Sequence, residues 1–431
     1  MRLQLSIAVM AAVAMIATAA VNAKPEQENN KHSYTSANGN KPGHVENRRS
    51  KAQLGPRPFY LVEGMEDGDL KQALLQCEKG PFFKTSFSIA HRGAAMQFPE
   101  HSDISYRAGA DMGAGIVECD VTFTQDGELV CRHSECDLAT TTNIVATPLN
   151  NHCTVPWTGP ENEGYPNPVC CTSDLSLTEY KSLEAKMDAS NPNATTAEDF
   201  LGGTADWRTD LYTGRANVIT FAESIALNES MGVKHTPELK SATHQDRVNA
   251  IFGSQEGYAQ KFIDTLKDGD VKPKDAFVQS FNKDDVLYWI KNAPAFGKQA
   301  VYLDSIDTGI PPLSMAELME LKANGVNIFA PPMWALLDVT DAGEVIPSQY
   351  ANDIKAAGLE IITWTFERSD LRQGGSQGGW YYQFDPEGKA IKNDGDMYKA
   401  LHVLAKDVKI LGIFSDWPAT VTYYANCMGL K

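Results

Sequence analysis

The chain has 431 residues, of which 42% are hydrophobic and 9% aromatic, so it can bury a large core and is not disordered throughout. Its formal net charge of −17 repels the phosphate backbone of nucleic acid at long range, which argues against a nucleic-acid partner. A small phosphate compound held by a metal ion is compatible with that charge.

Residues 1–23 have the layout of a secretory signal peptide. One early positive charge precedes an uncharged apolar stretch, and the small residues Val21 and Ala23 precede a cut before Lys24. The alternative is an uncleaved membrane anchor, because the apolar run is nearly long enough to span a bilayer. Residues 24–52 are polar and rich in Asn and Gly, which predicts a disordered linker. We therefore expect a secreted or periplasmic protein with no stable membrane span after cleavage.

All eight cysteines follow the predicted signal peptide, and an even number in an exported chain predicts disulfides. Five of them lie between Cys131 and Cys171, so we expect a stapled insertion. At least two of Cys153, Cys170 and Cys171 are expected to be bridged within that group. A zinc site is the rival interpretation, and the lack of a repeated CxxC spacing in the sequence disfavours it.

From about Phe82 onward, short apolar runs alternate with longer helix-like stretches. Eight parallel strands that alternate with helices close into a barrel, so the sequence predicts an α/β fold: a (β/α)8 TIM barrel over residues 82–431, with a large insertion after the second strand. The runs are FSIA (87–90), GIVECDV (115–121), TPELK (236–240), DAFVQSF (275–281), QAVYLD (299–304), NIFAPP (327–332), EIITWTF (360–366) and LGIFSDWP (411–418).

Polar side chains gather at the C-terminal ends of these runs, which is the rim where a (β/α)8 barrel forms its active site. They are His91 and Arg92 after the first run, Glu118 and Asp120 in the second, Glu238 and Lys240 in the third, Gln279 in the fourth, Trp364 in the seventh and Asp416 in the eighth.

The second run is the most informative, because side chains alternate along a strand. Glu118 and Asp120 share one face, and Cys119 shares the other face with valines, so we expect Cys119 to be a buried free thiol facing the helices. Two carboxylates on one apolar strand require neutralisation. With Glu238 from the next barrel strand they suit one divalent cation, Ca²⁺ or Mg²⁺. The alternative is a structural ion pair with a basic residue: Arg92, Arg132 or Lys240.

The motifs AHRG, PEHS, AGADMGAGIVECDVTFTQDGELVCRH, TPELK, FVQSF, ITWTF and GIFSDWP occur in the order typical of the glycerophosphodiester phosphodiesterase family, which the chain resembles from about residue 87 to 424. The resemblance implies a barrel of the phospholipase C-like type and metal-dependent hydrolysis of a small-molecule glycerophosphodiester to glycerol 3-phosphate and an alcohol. It implies that His91 and His133 are the acid/base pair, that Glu118, Asp120 and Glu238 hold the metal, and that Arg92 and Lys240 lie beside the phosphate. From its place at the end of the seventh run, we also expect Trp364 to contact the substrate.

The chemistry of the residues agrees with that resemblance. A metal with Arg92 and Lys240 neutralises a phosphodiester, and two imidazoles can deprotonate a nucleophile and protonate the departing alkoxide. The nucleophile is either water or the neighbouring glycerol hydroxyl. Two alternatives stay open: a lipid-directed phosphodiesterase of the phospholipase D-like or phosphoinositide-cleaving kind on the same barrel, and a catalytically inactive binding module.

The chain also departs from the family pattern. The family usually has Asn at the position of His101 and Asp at the position of Ser134, and we expect His101 to be a surface or loop-capping residue.

The insertion, residues 134–232, is interpreted as a cap over the barrel mouth that sets substrate choice. The loop DLRQGGSQGGWYYQF lies at the same rim, where Trp380 or Tyr381 could pack on substrate. Asn193 and Asn228 begin glycosylation sequons that matter only in a eukaryotic secretory route.

Overall fold

The computed structural model describes residues 51–431; the predicted signal peptide and nearly all of the predicted linker lie outside the described residues. Eight parallel strands form a closed barrel, in which each strand pairs with the next along the chain and the last pairs with the first. The predicted fold class is therefore confirmed. The strands are β1 (Thr85–Ala90), β2 (Ala114–Phe123), β3 (Lys234–Leu239), β4 (Gln279–Ser280), β5 (Val301–Leu303), β6 (Ile328–Ala330), β7 (Glu360–Phe366) and β8 (Gly412–Ser415).

Helices follow the strands and cover the outside of the barrel. Several begin at the cap residues that the sequence offers: Ser314 and Glu317, for example, form a capping box that satisfies the first backbone N–H groups of one helix. The helices are Asp103–Asp111 after β1, Phe221–Met231 before β3, Gln245–Phe252 and Gln255–Asp268 after β3, Lys283–Asn292 after β4, Met315–Ala323 after β5, Gln349–Ala356 after β6, Met397–Val403 after β7 and Pro418–Cys427 after β8.

Side-chain alternation divides the core into two parts. Val117 and Val121 on β2 belong to the large apolar cluster between strands and helices, whereas Ile116 belongs to a smaller cluster inside the barrel. The interior cluster is formed by Ile89, Ile116, Val301, Leu303, Ile328, Ala330, Ile362 and Phe414. Because alternate residues share a face, the residues two positions beyond several of these apolar side chains also point inward, at the C-terminal mouth.

The segment before the barrel packs against its outer helices. Two further helices, Arg57–Gly64 and Asp69–Gln76, contribute Leu61 and Leu74 to the large apolar cluster. Cys77, next to the second of these helices, forms a disulfide with Cys427 at the end of the last helix, 350 positions further along the chain. The segment before the barrel is thus joined covalently to the last helix.

A β-hairpin corrects one sequence expectation. After β2 the chain turns into a short antiparallel strand, Leu129–Cys131, in which Cys131 pairs with Val121. Cys119 does face the helices, but it forms a disulfide with Cys131, whose Cα lies 5.3 Å away, so the prediction of a free thiol was wrong. Cys131 reaches the same outer face because it lies directly opposite Val121 in the antiparallel pair, and Val121 shares its face of β2 with Cys119; the alternation within one strand does not reveal this register.

The insertion after β2 has an apolar core of its own, which includes Leu138, Tyr180 and Phe200. The disulfides Cys136–Cys171 and Cys153–Cys170 hold it together, which confirms the predicted stapling. It contains short helices at Leu138–Thr141, Leu177–Tyr180 and Ala197–Phe200 and paired two-residue strands at Glu184–Ala185 and Ala216–Asn217. Within residues 51–431, no helix combines the length and apolar character needed to cross a membrane.

Candidate active site

One cavity of about 420 Å³ lies at the C-terminal ends of the barrel strands. Its wall contains all eight residues to which the sequence assigned a catalytic, substrate-binding or metal-binding role: His91, Arg92, Glu118, Asp120, His133, Glu238, Lys240 and Trp364. The strand ends bring these residues together because parallel strands end at one rim of the barrel. The cavity also contains residues that the sequence did not identify as site residues, among them Asp188, Phe281 and Arg368.

His91 directly follows β1 and is held by a carboxylate behind it. Its Nδ1 lies 2.6 Å from Oδ1 of Asp416, and its Nε2 lies 3.8 Å from Oε2 of Glu118. Burial and the Arg92 guanidinium lower the pKa of His91 to about 4, although Asp416 opposes the shift. The ring is therefore neutral near pH 7. An ionised carboxylate only accepts hydrogen bonds, so the ring proton lies on Nδ1 and the lone pair on Nε2.

Asp416 is kept ionised by a partly buried guanidinium. Arg368 donates through Nη1 to Oδ2 of Asp416 at 2.9 Å and through Nη2 to Oε1 of Glu100 at 3.0 Å. Burial opposes ionisation of Asp416, but Arg368 and His91 outweigh it and hold the pKa of this carboxyl below its usual range. Arg368 is not among the predicted site residues, although it lies two residues past the end of β7, and the other polar residues were identified from their positions at strand ends.

Glu100 connects three segments of chain behind His91. Besides Arg368, it accepts a hydrogen bond from Nη1 of Arg92 at 2.7 Å and lies 3.5 Å from Nη2 of Arg208. Burial opposes its ionisation, but Arg368 and Arg92 hold the pKa of Glu100 well below the usual range. Since Arg208 belongs to the insertion and also donates to the backbone carbonyl of Ala95, this network ties the insertion to the loop after β1.

Glu118, Asp120 and Glu238 converge as the sequence predicts. Each offers an oxygen within 4.8 Å of an oxygen of the other two, and β2 and β3 pair with Asp120 directly opposite Glu238. All three are buried, with 3%, 1% and 6% of their surface exposed, respectively. Three buried carboxylates repel one another unless a cation lies among them, and hard oxygen ligands suit Ca²⁺ or Mg²⁺. The donor set therefore fits a divalent cation.

Neighbouring donors hold two of these carboxylates in place. Glu118 accepts hydrogen bonds from the backbone N–H of Arg92 and from Nε2 of Gln279, both at 3.0 Å. Nζ of Lys240 lies 2.7 Å from Oε1 of Glu238. The ion-pair alternative thus describes part of the site. The side chains of Arg92 and Lys240, however, supply two positive charges to three carboxylates, so one negative charge is left uncompensated.

The pKa values of the three carboxyls reflect this excess of negative charge. Burial, with Asp120 and Glu238 nearby, raises the pKa of Glu118 well above its usual range, and burial raises the pKa of Glu238 to about 8 despite Lys240. Burial also opposes ionisation of Asp120, but Lys240 and His101 outweigh it and lower the pKa of that carboxyl. Oδ1 of Asp120 is buried and has no hydrogen-bond partner among residues 51–431, so one ligand oxygen is free for a cation.

His133 approaches the cavity from the hairpin that follows β2. It directly follows Arg132, whose backbone N–H donates to the carbonyl of Asp120 at 2.7 Å. Burial, Arg92 and Lys240 lower the pKa of the His133 ring, which favours its neutral form. Its position in the cavity wall, together with that of His91, supplies two imidazoles around one space.

Aromatic side chains form another wall of the cavity. The rings of Trp364 and Trp380 stack with centroids 5.6 Å apart, and Tyr381 packs edge-on against both. Phe281 contacts Trp364 edge-on, and Nζ of Lys240 lies 5.7 Å from the centroid of the Phe281 ring. The cavity is therefore polar and charged on one part of its wall and aromatic on another.

His101 differs from its expected position. It is 1% exposed, and its Nε2 lies 2.8 Å from Oδ2 of Asp120, so the prediction of a surface or loop-capping residue was wrong. The loop after β1 folds inward here, which the motif spacing does not show. The zinc alternative also fails for the one cysteine cluster that the described residues offer: Cys136, Cys171 and His244 lie close together, but both sulfurs belong to a disulfide.

Comparisons with known proteins agree with this arrangement. A family model described as the Glycerophosphoryl diester phosphodiesterase family matches residues 91–420. An "Extracellular protein" of Arthroderma benhamiae is 38% identical over 248 residues, which are 57% of this chain and 100% of that protein. Glycerophosphodiester phosphodiesterase GDPD6 of Arabidopsis thaliana is 26% identical over 250 residues, 55% of this chain and 59% of the plant protein.

A solved structure shows the same fold. The putative glycerophosphoryl diester phosphodiesterase from Silicibacter pomeroyi DSS-3 superposes with a TM-score of 0.52 at 17% sequence identity. The superposition covers 82% of this chain and 96% of that structure.

Proposed function

Because this chain belongs to the glycerophosphoryl diester phosphodiesterase family and is therefore a phosphoric diester hydrolase, we propose that it cleaves glycerophosphodiesters to glycerol 3-phosphate and an alcohol in the cavity at the barrel mouth. The observation that carries the proposal is the presence of two imidazoles, His91 and His133, in the same cavity wall as a cluster of three carboxylates. General acid–base chemistry on an anionic diester requires both features.

Glu118, Asp120 and Glu238 would hold one divalent cation, Ca²⁺ or Mg²⁺. The convergence of their oxygens and the free Oδ1 of Asp120 support this assignment. Such a cation supplies positive charge that offsets the charge of the phosphodiester. Arg92 and Lys240, in the same wall, would add charge and orient the phosphate, and Trp364 would contact the substrate from the aromatic side.

The two histidines would divide the proton transfers. The bond between Nδ1 of His91 and Asp416 supports a role for His91 as the base, because it leaves the Nε2 lone pair to take a proton from the nucleophile. An anionic diester bound beside His133 would raise the pKa of its ring, so that His133 would take up a proton from solvent and donate it to the departing alkoxide. Arg368 would act through Asp416, since its donors bind Asp416 and Glu100.

The insertion, residues 134–232, would serve as a cap that influences substrate choice. Asp188 in the cavity wall and the anchoring of Arg208 to the loop after β1 support this role. The four disulfides and the similarity to a protein named as extracellular support secretion or a periplasmic location.

A substrate panel tests the proposal. Purified protein with Mg²⁺ or Ca²⁺ would be given glycerophosphocholine, glycerophosphoethanolamine, glycerophosphoinositol and lysophospholipid. The readout is release of glycerol 3-phosphate from the three water-soluble diesters and of the headgroup alcohol from lysophospholipid, with His133→Ala as the negative control. Cleavage of a water-soluble diester supports the proposal. Preference for lysophospholipid would favour the lipid-directed alternative, which the aromatic wall of Trp364, Trp380 and Tyr381 supports. Inactivity on every diester with metal present would favour a binding module.

A further inference from the structure

His101 bridges two buried groups beside the proposed metal ligands. Its Nε2 lies 2.8 Å from Oδ2 of Asp120, and its Nδ1 lies 3.0 Å from the hydroxyl of Tyr106. Tyr106 lies in the helix Asp103–Asp111 and is fully buried. The ring thus connects the first barrel helix to a carboxylate on β2. The glycerophosphodiester phosphodiesterase family usually has the shorter Asn at this position.

Only one arrangement of protons satisfies this chain of contacts. Asp120 faces Arg92 and His101 and accepts hydrogen bonds, so Nε2 of His101 must carry the proton that it donates. The Tyr106 hydroxyl has no other hydrogen-bond partner in the described part of the chain. If Nδ1 were also protonated, the buried hydroxyl would have no acceptor for its own proton. Tyr106 therefore donates to Nδ1, and His101 is neutral with its proton on Nε2.

This arrangement determines which oxygen of Asp120 is free. Oδ2 is occupied by His101 and lies 3.4 Å from Nε of Arg92, whereas Oδ1 is buried without a partner among residues 51–431. Hydrogen bonding at one oxygen restricts rotation of the carboxylate and favours the orientation in which the other oxygen points away from His101. We propose that Tyr106 and His101 form a positioning pair that orients Asp120 as a ligand binding a divalent cation through Oδ1. This inference rests on the metal site of the proposed function and extends it to residues outside the ligand set.

The test measures cation binding without substrate. Calorimetric titration of metal-stripped protein with Mg²⁺ or Ca²⁺ should show His101→Leu binding about 10–100-fold more weakly than wild type, because loss of a hydrogen bond to a metal ligand has effects of that size. His101→Asn should recover much of that loss, since its amide can still donate to Asp120. Long-range proton–nitrogen NMR spectra of the wild type should show the His101 proton on Nε2, and Tyr106→Phe should weaken that preference.

A second histidine–tyrosine pair provides a matched control. Nδ1 of His402 lies 2.9 Å from the hydroxyl of Tyr424, in the outer helices and away from the cavity wall. His402→Leu should leave cation affinity unchanged. Unchanged affinity in folded His101→Leu, or a wild-type spectrum with the proton on Nδ1, overturns the positioning role while leaving the proposed function standing. A wild-type protein that binds neither cation overturns the metal site and the positioning role together. If His101→Leu does not fold, Tyr106→Phe decides the question through the same titration and spectrum.

A separate observation concerns the two glycosylation sequons. Asn193 and Thr195 lie exposed in the insertion, whereas Asn228 is 2% exposed within the helix Phe221–Met231 and its Nδ2 lies 3.4 Å from Nδ1 of His235. A glycan on Asn228 cannot be accommodated in that packing, whereas Asn193 has open solvent around it. We infer that Asn193 is an N-glycan acceptor when the chain passes through a eukaryotic secretory route, and that Asn228 is not.

Expression in a secreting yeast tests this inference directly. The secreted wild type should lose mass on treatment with an N-glycan-removing enzyme, Asn193→Gln should show no such loss, and Asn228→Gln should behave as the wild type. An unglycosylated wild type, or a glycan that persists in Asn193→Gln, would overturn it.

Discussion

Replacing Asp416 with Asn should reverse the proton position on His91. Arg368 donates to Oδ2 of Asp416 at 2.9 Å, so an Asn side chain must turn its carbonyl oxygen toward Arg368, because the amide N–H₂ would face another donor there. The N–H₂ group then faces Nδ1 of His91, where the carboxylate oxygen now lies at 2.6 Å. An amide N–H₂ only donates, so the imidazole must accept at Nδ1 and carry its proton on Nε2.

A ring with its proton on Nε2 cannot remove a proton from the nucleophile. We expect kcat to fall by about 10²–10⁴, the range for loss of a general base and for an Asp→Asn change that imposes the wrong tautomer. KM should change little, because Asp416 lies behind His91. The variant should also lose roughly 1–3 kcal/mol of unfolding free energy, since a buried carboxylate that bonds to two groups becomes a neutral amide.

The assay is glycerol 3-phosphate release from the best diester of the panel, paired with NMR spectra of the His91 nitrogens. Asp285→Asn is the matched control: Asp285 is also buried and hydrogen-bonded, to Ser280 and Gln255, but it lies outside the cavity wall, so kcat should be preserved. An Asp416→Asn enzyme that keeps its kcat within about tenfold of wild type, with the proton still on Nδ1, would refute the reasoning.

Three further outcomes are expected. Glu118→Gln should abolish turnover and weaken cation binding in calorimetry while the fold persists, because it removes one charge from a repelling cluster; chelator-resistant wild-type turnover would contradict this. His91→Ala and His133→Ala should each lower kcat by about 10²–10⁴, and the double variant should lose less than the product, since one displacement uses both groups; full activity in both single variants would exclude the assignment. Burial raises the pKa of Asp285 to about 6 from 3.8, so its native state prefers the protonated form and stability should fall as pH rises through that interval. Asp285→Asn should reduce that slope in thermal melts between those pH values, where Glu118 and Glu238, whose pKa values are also raised, supply the rest; an unchanged slope would contradict the contribution of Asp285.

The barrel and most of its site could be predicted because both follow from local alternation. Apolar runs of strand length, separated by helix-length stretches, indicate parallel strands, and side chains at strand ends must meet at one rim. Glu118 and Asp120 were placed on one face by the two-residue period alone, and β2 confirms that face. The burial of these groups in one cavity then follows from closure of the barrel.

Contacts between distant segments could not be predicted in this way. The Cys119–Cys131 disulfide depends on the register in which the hairpin strand pairs with β2, and the burial of His101 depends on an inward turn of the loop after β1. Asp188 enters the cavity from an insertion whose path has no repeating pattern in the sequence. Such features depend on three-dimensional packing between elements, which helix and strand propensities and hydrophobic periodicity do not encode.

The Cys77–Cys427 disulfide determines how the molecule responds to a mechanical load. Tension applied to the segments before Cys77 and after Cys427 passes from one to the other through the covalent bridge, so none of it crosses the barrel strands between them. In a pulling experiment the helix Arg57–Gly64 should unfold first. The total extension should then be shorter than that of the fully unfolded chain by the contour length between Cys77 and Cys427, until a reductant is added. The eight-stranded barrel, with its cavity, would stay folded at forces that extend the same chain once the bridge is reduced.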